Sequence, residues 1–269
     1  MKLGHYSRWR MLGVLALIGI LPHSVRAQQY TGMSGLIQVP SADMDSVGVA
    51  RVGAHFINGQ FLPDVFTAWD HRFHTASFYL SVTPFRWMEI GYTCTLLRSH
   101  KTKDGVEVGK PGLYRKDRYF SLKLQPIAER EGSWWPSVAV GMNDLYSGRK
   151  NQEPPINPET GRPVSVGNSF FSNYYVAVSK HFVWQRHCVG FHLAYRNWQR
   201  KLNAPLNGVV GGVTYQPSFQ PSLRVIAEYT GKDVNVGLDW KLWNFLLLQA
   251  SLQNGKYFSG GACFCIGLM

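Results

Sequence analysis

The chain has 269 residues, 45% hydrophobic, 14% aromatic and 16% charged, with a formal net charge of +12. Disorder is excluded, since it needs low hydrophobicity and high charge. Four cysteines in a chain this long exclude a disulfide-stapled mini-domain, and no apolar run reaches the ~20 residues of a spanning helix, which leaves a large β-rich domain, soluble or in an outer membrane.

The first element is an export signal. Lys2, Arg8 and Arg10 precede the apolar run 11–21, Pro22 breaks it, and Val25-Arg26-Ala27 supplies the small residues of a cleavage site. The run is too short for an uncleaved anchor. Cleavage near Ala27 takes four basic residues (Lys2, Arg8, Arg10, Arg26) and no acid, so +8 of the +12 remains. An exported chain of that charge is not expected to meet nucleic acid. An anionic membrane surface or an acidic polymer suits it better.

Residues 28–48 are too irregular for a full strand. Gly32, Gly35 and Pro40 suit a tight bend. The segment either pairs weakly at a barrel mouth, on the periplasmic side, or folds into the lumen as a plug.

From residue 49 onward one pattern recurs: segments of about ten residues that alternate in polarity and end in turn residues. Strands are expected near 49–57, 74–82, 86–97, 118–126, 136–143 and 170–182. More follow near 187–198, 208–216, 222–230, 233–242, 245–253 and 257–268. In the third, Met88, Ile90, Tyr92, Cys94 and Leu96 oppose Glu89, Gly91, Thr93 and Thr95. In the ninth, Leu223, Val225, Ala227 and Tyr229 oppose Arg224, Glu228 and Thr230. One face suits lipid and the other is polar. Soluble strands average about 5–6 residues and membrane strands about 9–11. The expected fold is therefore all-β, a closed antiparallel transmembrane barrel of about twelve strands.

Loop lengths give an independent test. Connections after even strands are short (83–85, 183–186, 217–221, 243–244), with 127–135 a little longer. Several after odd strands are long (58–73, 98–117, 144–169). Short periplasmic turns and long outer loops are the barrel rule. Asn254-Gly255 is a strong hairpin signal. Trp87, Trp134, Trp135, Trp184, Trp198, Trp240 and Trp243 fall at strand ends, where an aromatic girdle is expected. Cys94, Cys188, Cys263 and Cys265 read as small hydrophobes, and their spacing suits neither a disulfide nor a metal site.

The stretch 32–53, GMSGLIQVPSADMDSVGVARVG, resembles the N-terminal signature of the YjbH family of outer-membrane proteins. Its carriers here are Gly35, Leu36, Ile37, Pro40, Ser41 and Ala42, then Gly48 and Arg51-Val52-Gly53. Family-like blocks follow in order at 87–92, 117–124, 136–145 and 171–180. The resemblance spans roughly 32–196 and implies an outer-membrane barrel linked to exopolysaccharide or capsule production or secretion. The expected partners are outer-membrane lipid and, from the resemblance together with the charge, either an acidic polysaccharide or envelope export proteins.

By strand parity Glu89, Arg118, Lys123, Arg196, Arg224, Glu228, Asp239 and Lys241 face the lumen. They form either a paired packing network or a polar path. A basic outer loop is expected at Lys101, Lys103, Lys110, Arg115 and Lys116, suited to phosphate-rich lipid or an acidic polysaccharide. Ser179 with His181 or His192 offers the materials of a nucleophilic site, but no spacing supports one. No GxSxG, HExxH or phosphate loop is present. No enzyme, cofactor or metal is expected. The alternatives are a barrel enzyme acting on lipid or saccharide and a secreted soluble β-sandwich lectin or adhesin.

Overall fold

A computed structural model describes residues 28–62, 73–103, 106–130, 132–145, 170–199 and 201–268. The expected export signal and most of the expected loops 58–73 and 144–169 lie outside the described residues. Among the described residues the alternating segments become twelve strands. They are β1 (Val49–Ile57), β2 (Thr75–Phe85), β3 (Met88–Lys103), β4 (Val106–Ile127), β5 (Ser137–Asn143) and β6 (Asn173–Trp184). Then come β7 (His187–Trp198), β8 (Gly208–Gln216), β9 (Leu223–Tyr229), β10 (Val234–Leu242), β11 (Leu246–Gln253) and β12 (Tyr257–Gly267).

Each strand pairs antiparallel with its sequence neighbours, and β12 returns to β1, with Val49 opposite Gly267 and Phe56 opposite Gly260. Closure removes the free edge that backbone in hydrocarbon cannot keep. The fold is an all-β closed antiparallel transmembrane barrel. It is not a sandwich, because one sheet closes on itself.

Parity decides what each residue meets. In β9, Arg224, Ile226 and Glu228 are buried while Val225, Ala227 and Tyr229 are exposed. Exposed Val52, Leu80, Phe120, Leu193, Leu238 and Phe264 carry the apolar outer face round the barrel. Left-handed φ closes tight hairpins at Gln185-Arg186, Trp243-Asn244 and Asn254-Gly255. Exposed Phe85, Trp87, Trp134, Trp135, Trp184, Trp243 and Phe245 mark the short-turn rim. Interfacial rings of this kind belong at the headgroup level.

Two expectations are corrected. The basic stretch 98–117 is not a loop. It continues β3 and β4 as a hairpin in which Leu97 faces Arg115 and Lys103 faces Val106, with register shifts around Ser99. Val106, Val108, Leu113 and Tyr114 are good strand formers and keep the ladder going. At ~3.3 Å per residue, the 22 residues of β4 outreach a hydrocarbon core about 30 Å thick. Trp198 is the second case. It ends β7 but shares the inward parity of Arg196, is buried, and lies 5.0 Å from that guanidinium.

Candidate functional site

The inward parity of the strands delivers charges into the barrel, and residues 28–44 meet them there. This segment is buried nearly throughout. Gly32, at φ 87°, turns it back on itself, and bridges join Gln28 to Ser34 and Gly35 to Pro40. Its apolar side chains rest on bare wall. A Cβ on Gly91, Gly212 or Gly237 would lie 2.7 Å from Met33 Sδ, 2.4 Å from Leu36 Cδ2 and 2.8 Å from Ile37 Cδ1, respectively. These wall glycines are the floor on which the plug sits.

Three charged centres hold the plug. On β9, the Glu228 carboxylate accepts the amides of Ile37, Gln38 and Val39, each at 3.0 Å, and Asn235 Nδ2 at 2.8 Å. Successive backbone amides aimed at one anion form a nest. Arg196 Nη1 donates to the Gln38 carbonyl at 3.1 Å, so the plug backbone is held from both polarities. Arg224 donates to Asp239 at 2.9 Å and to the Gly35 carbonyl at 3.2 Å. Gln249 then links Asp239, at 2.7 Å, to His55, also at 2.7 Å.

The third centre is Glu89 with Lys123, whose charged atoms lie 3.8 Å apart with both side chains almost fully buried. Glu89 accepts from the Ser34 amide at 2.8 Å and from the Ser34 hydroxyl. Lys123 donates to the Ser34 carbonyl at 3.0 Å, to Ser34 Oγ at 2.8 Å and to the Asp43 carbonyl. Buried charges are tolerable only when paired and hydrogen-bonded in this way.

Of the eight residues read as luminal, Glu89, Lys123, Arg196, Arg224, Glu228 and Asp239 join this network. Lys241 shares the inward parity, opposite Leu247, but is half-buried at the short-turn rim. Arg118 is a correction: it pairs with Cys94 and is exposed on the outer face. It and Lys123 are an odd number of residues apart, so a regular strand cannot turn both inward. Asp117 takes the inward place and accepts the Phe170 amide at 2.9 Å.

Of the signature residues, Gly35, Leu36, Ile37, Pro40, Ser41 and Ala42 lie in the plug, and Arg51, Val52 and Gly53 lie in β1. Leu36 and Ile37 pack on the wall, and Gly35 and Pro40 form its bridge. The Ser41 hydroxyl accepts the Asp43 amide at 3.2 Å. The Ala42 amide donates to Ser179 Oγ at 2.9 Å, and its carbonyl accepts from Gln125 at 2.6 Å. On the outer hairpin Lys101, Lys110 and Lys116 are exposed, with Lys101 Nζ 5.0 Å from the centre of the Tyr114 ring. Lys103 and Arg115 belong to the same two strands.

Sequence reading missed Ser34, Asp43 and Glu129. Their partners are distant in sequence, and no spacing marks them. Glu129, between β4 and β5, accepts from Lys180 Nζ at 2.6 Å, the His181 amide at 3.0 Å and His181 Nδ1 at 2.7 Å. Burial opposes its charge, but Lys180 and His181 outweigh that and hold its carboxyl below the usual range. Asp43, His181 and His192 bring three metal-ligand donors within 4.8 Å of one another. A cavity of about 440 Å³ opens beside them, lined in part by Asp43, Asp45, Gln125, Glu129 and His181.

Ser179, His192 and Asp43 also meet, but not as a nucleophilic triad. Ser179 Oγ lies 2.8 Å from His192 Nδ1, and Asp43 Oδ2 lies 3.8 Å from that same nitrogen. A triad places hydroxyl and carboxylate on opposite ring nitrogens. Here Nε2 faces Thr214 Oγ1 at 3.1 Å.

Fold and site together define a closed transmembrane barrel filled by its own N-terminal segment. Residues 27–150 match the family model described as "YjbH: Exopolysaccharide biosynthesis protein YbjH". The resemblance read from 32–53 therefore stands, and the match runs over the plug and the first five strands. No curated protein matches the chain. Among solved structures there is a likeness to Wzi of Escherichia coli, described as an outer membrane protein involved in group 1 capsule assembly and a carbohydrate-binding β-barrel. Identity is 12% and the TM-score 0.27, with 72% of this chain and 52% of that chain covered. The chain thus spans about half the length of that relative, and the likeness is too remote to bear on function.

Proposed function

We propose that this chain is a plugged outer-membrane barrel that acts, without catalysis, in the production or export of exopolysaccharide or capsule. The observation that carries the reading is where the family match falls. It covers the segment that fills the lumen together with β1 to β5, including Glu89 and Lys123. On this reading 1–27 is the export signal, cleaved near Ala27, 28–48 is the plug, and 49–269 is the barrel. The short-turn rim faces the periplasm and its export partners, the apolar band meets lipid, and the basic hairpin meets an acidic polysaccharide outside.

A deletion strain tests the process. Surface acidic polysaccharide should fall on deletion and return with the full chain, whereas an unchanged level removes the proposed role. Charge reversal at Lys101, Lys110 and Lys116 should weaken binding of the acidic polysaccharide to the purified barrel. That loss should be largest at low salt, because exposed charges are screened beyond about 10 Å at 0.1 M.

The plug itself is open to a direct test. Glu228→Ala removes the acceptor of three successive plug amides. Each buried donor left without a partner costs about 1–3 kcal/mol. Hydrogen exchange at Ile37, Gln38 and Val39 should accelerate by at least about tenfold, the equivalent of 1.4 kcal/mol. The ladder amides of β9 and β10 should stay protected. Unchanged exchange at the three plug amides would show that Glu228 does not hold the segment.

A further inference from the structure

We infer that Asp43, His181 and His192 form a binding site for a divalent transition metal of the zinc class, which clamps the plug to the barrel wall. The inference deepens the plugged-barrel reading and rests on it. Asp43 comes from the plug, whereas His181 and His192 come from the neighbouring strands β6 and β7. Any ion they share is a bond between the two parts.

The geometry is that of an open site. Asp43 Oδ1 lies 3.6 Å from His181 Nε2, and Asp43 Oδ2 lies 3.8 Å from His192 Nδ1. Donors bound at 2.0–2.1 Å to one tetrahedral ion are about 3.4 Å apart, so small side-chain shifts close the shell. Two histidines and one carboxylate, with a fourth position left to water, is a recurring zinc donor set. The fourth position has somewhere to face, because the cavity at the short-turn rim is lined by Asp43 and His181.

The surroundings prepare the donors. Glu129 lies 2.7 Å from His181 Nδ1. A carboxylate there accepts a hydrogen bond from Nδ1–H, leaves Nε2 as the ligand and fixes the ring, as is usual behind metal-bound histidine. Thr214 Oγ1, 3.1 Å from His192 Nε2, can accept from that nitrogen in the tautomer that leaves Nδ1 as the ligand. An ion would displace the contact of Nδ1 with Ser179 Oγ, whose oxygen still accepts the Ala42 amide. Lys123 donates to the Asp43 carbonyl. The Asp43 carboxylate offsets one of a dication's two charges, and Glu129, which Lys180 also pairs, offsets part of the second, with both imidazoles neutral.

The test uses the tag-free chain from the mature N-terminus, folded in detergent, stripped with chelator and titrated with Zn²⁺. We expect one ion per chain. Asp43→Asn and His181→Gln should each weaken binding by about 100-fold or more, and Glu129→Gln by about 10–100-fold. Zn²⁺ should also slow hydrogen exchange across 28–48 in the wild type and not in Asp43→Asn. Because Glu129 lies outside the strands, its variant keeps the test readable if a strand variant misfolds. Absence of binding, or equal binding by wild type and the Asp43 and Glu129 variants, overturns the site. Binding without slower plug exchange overturns the clamp. A barrel that stays non-conducting after chelation while binding no zinc defeats the metal alone and leaves the plugged barrel standing.

Discussion

Deleting residues 28–44 is expected to turn a silent barrel into a conducting one. The wall does not need the plug for its ladders, since β1 pairs with β12 and β2 and every other strand with its neighbours. What the plug supplies is volume and hydrogen-bond partners. Its Met33, Leu36, Ile37 and Val39 are at most 2% exposed, so they occupy the interior. Without them, water reaches Glu89, Lys123, Arg196, Arg224 and Glu228, and solvation replaces the lost backbone partners. Charges that are costly in a dry interior are tolerable in a wet one. In planar bilayers the mature full-length chain should show no steady current steps and the truncated chain should show them. The steps should be smaller than those of 16–18-stranded porins, whose lumen is wider. Equal conductance with and without the segment would mean that the plug does not seal the barrel.

The second large effect is expected at the Glu89–Lys123 centre. Lys123→Met removes the cation and leaves a carboxylate buried beside Ser34. Breaking a buried ion pair from one side costs about 3–5 kcal/mol. The double variant Glu89→Gln, Lys123→Met removes both charges and should recover most of that loss, because burying a neutral amide costs much less than burying an unpaired charge. Reversible urea unfolding of the folded barrel, followed by its heat-dependent shift on a gel, gives the free energies. A single variant within about 1 kcal/mol of wild type would show that water already reaches the site. A double variant as unstable as the single would show that Lys123 acts by packing and not by charge.

Much of the wall is legible in the residues themselves. Alternation in β9 puts Arg224 and Glu228 on one face and Val225 and Tyr229 on the other, whatever the rest of the chain does, because strand side chains alternate with period two. Asn254-Gly255 marks its hairpin for a local reason too: both residues take positive φ, at 49° and 69°. The same logic placed Arg118 wrongly only where parity was not carried along one strand, and Asp117 shows what strict alternation requires. The basic stretch 98–117 falls between two expected strands, and a long outer connection is the simplest reading of it. Yet a hairpin beyond the membrane is solvated as well, and strand propensity decides between them.

The plug was legible as an irregular segment and not as a filled lumen. Glycine and proline announce a bend at Gly32, Gly35 and Pro40, but nothing local says where the bend goes. Its destination depends on Glu228, 191 positions from Ile37, and on Arg224, 189 positions from Gly35. The convergence of Asp43, His181 and His192 is of the same kind, since no ligand spacing links residues on a plug and two strands.

The sequence by itself therefore determined most of the barrel's wall, the face that most strand residues present and the low charge of the whole. These follow from nearest-neighbour geometry, repeated twelve times, and each repeat is readable on its own. Only the tertiary structure decided that the lumen is filled, which charges hold the filling and which donors meet beneath it. Those contacts exist because the sheet closes, and closure brings together residues that the chain keeps far apart.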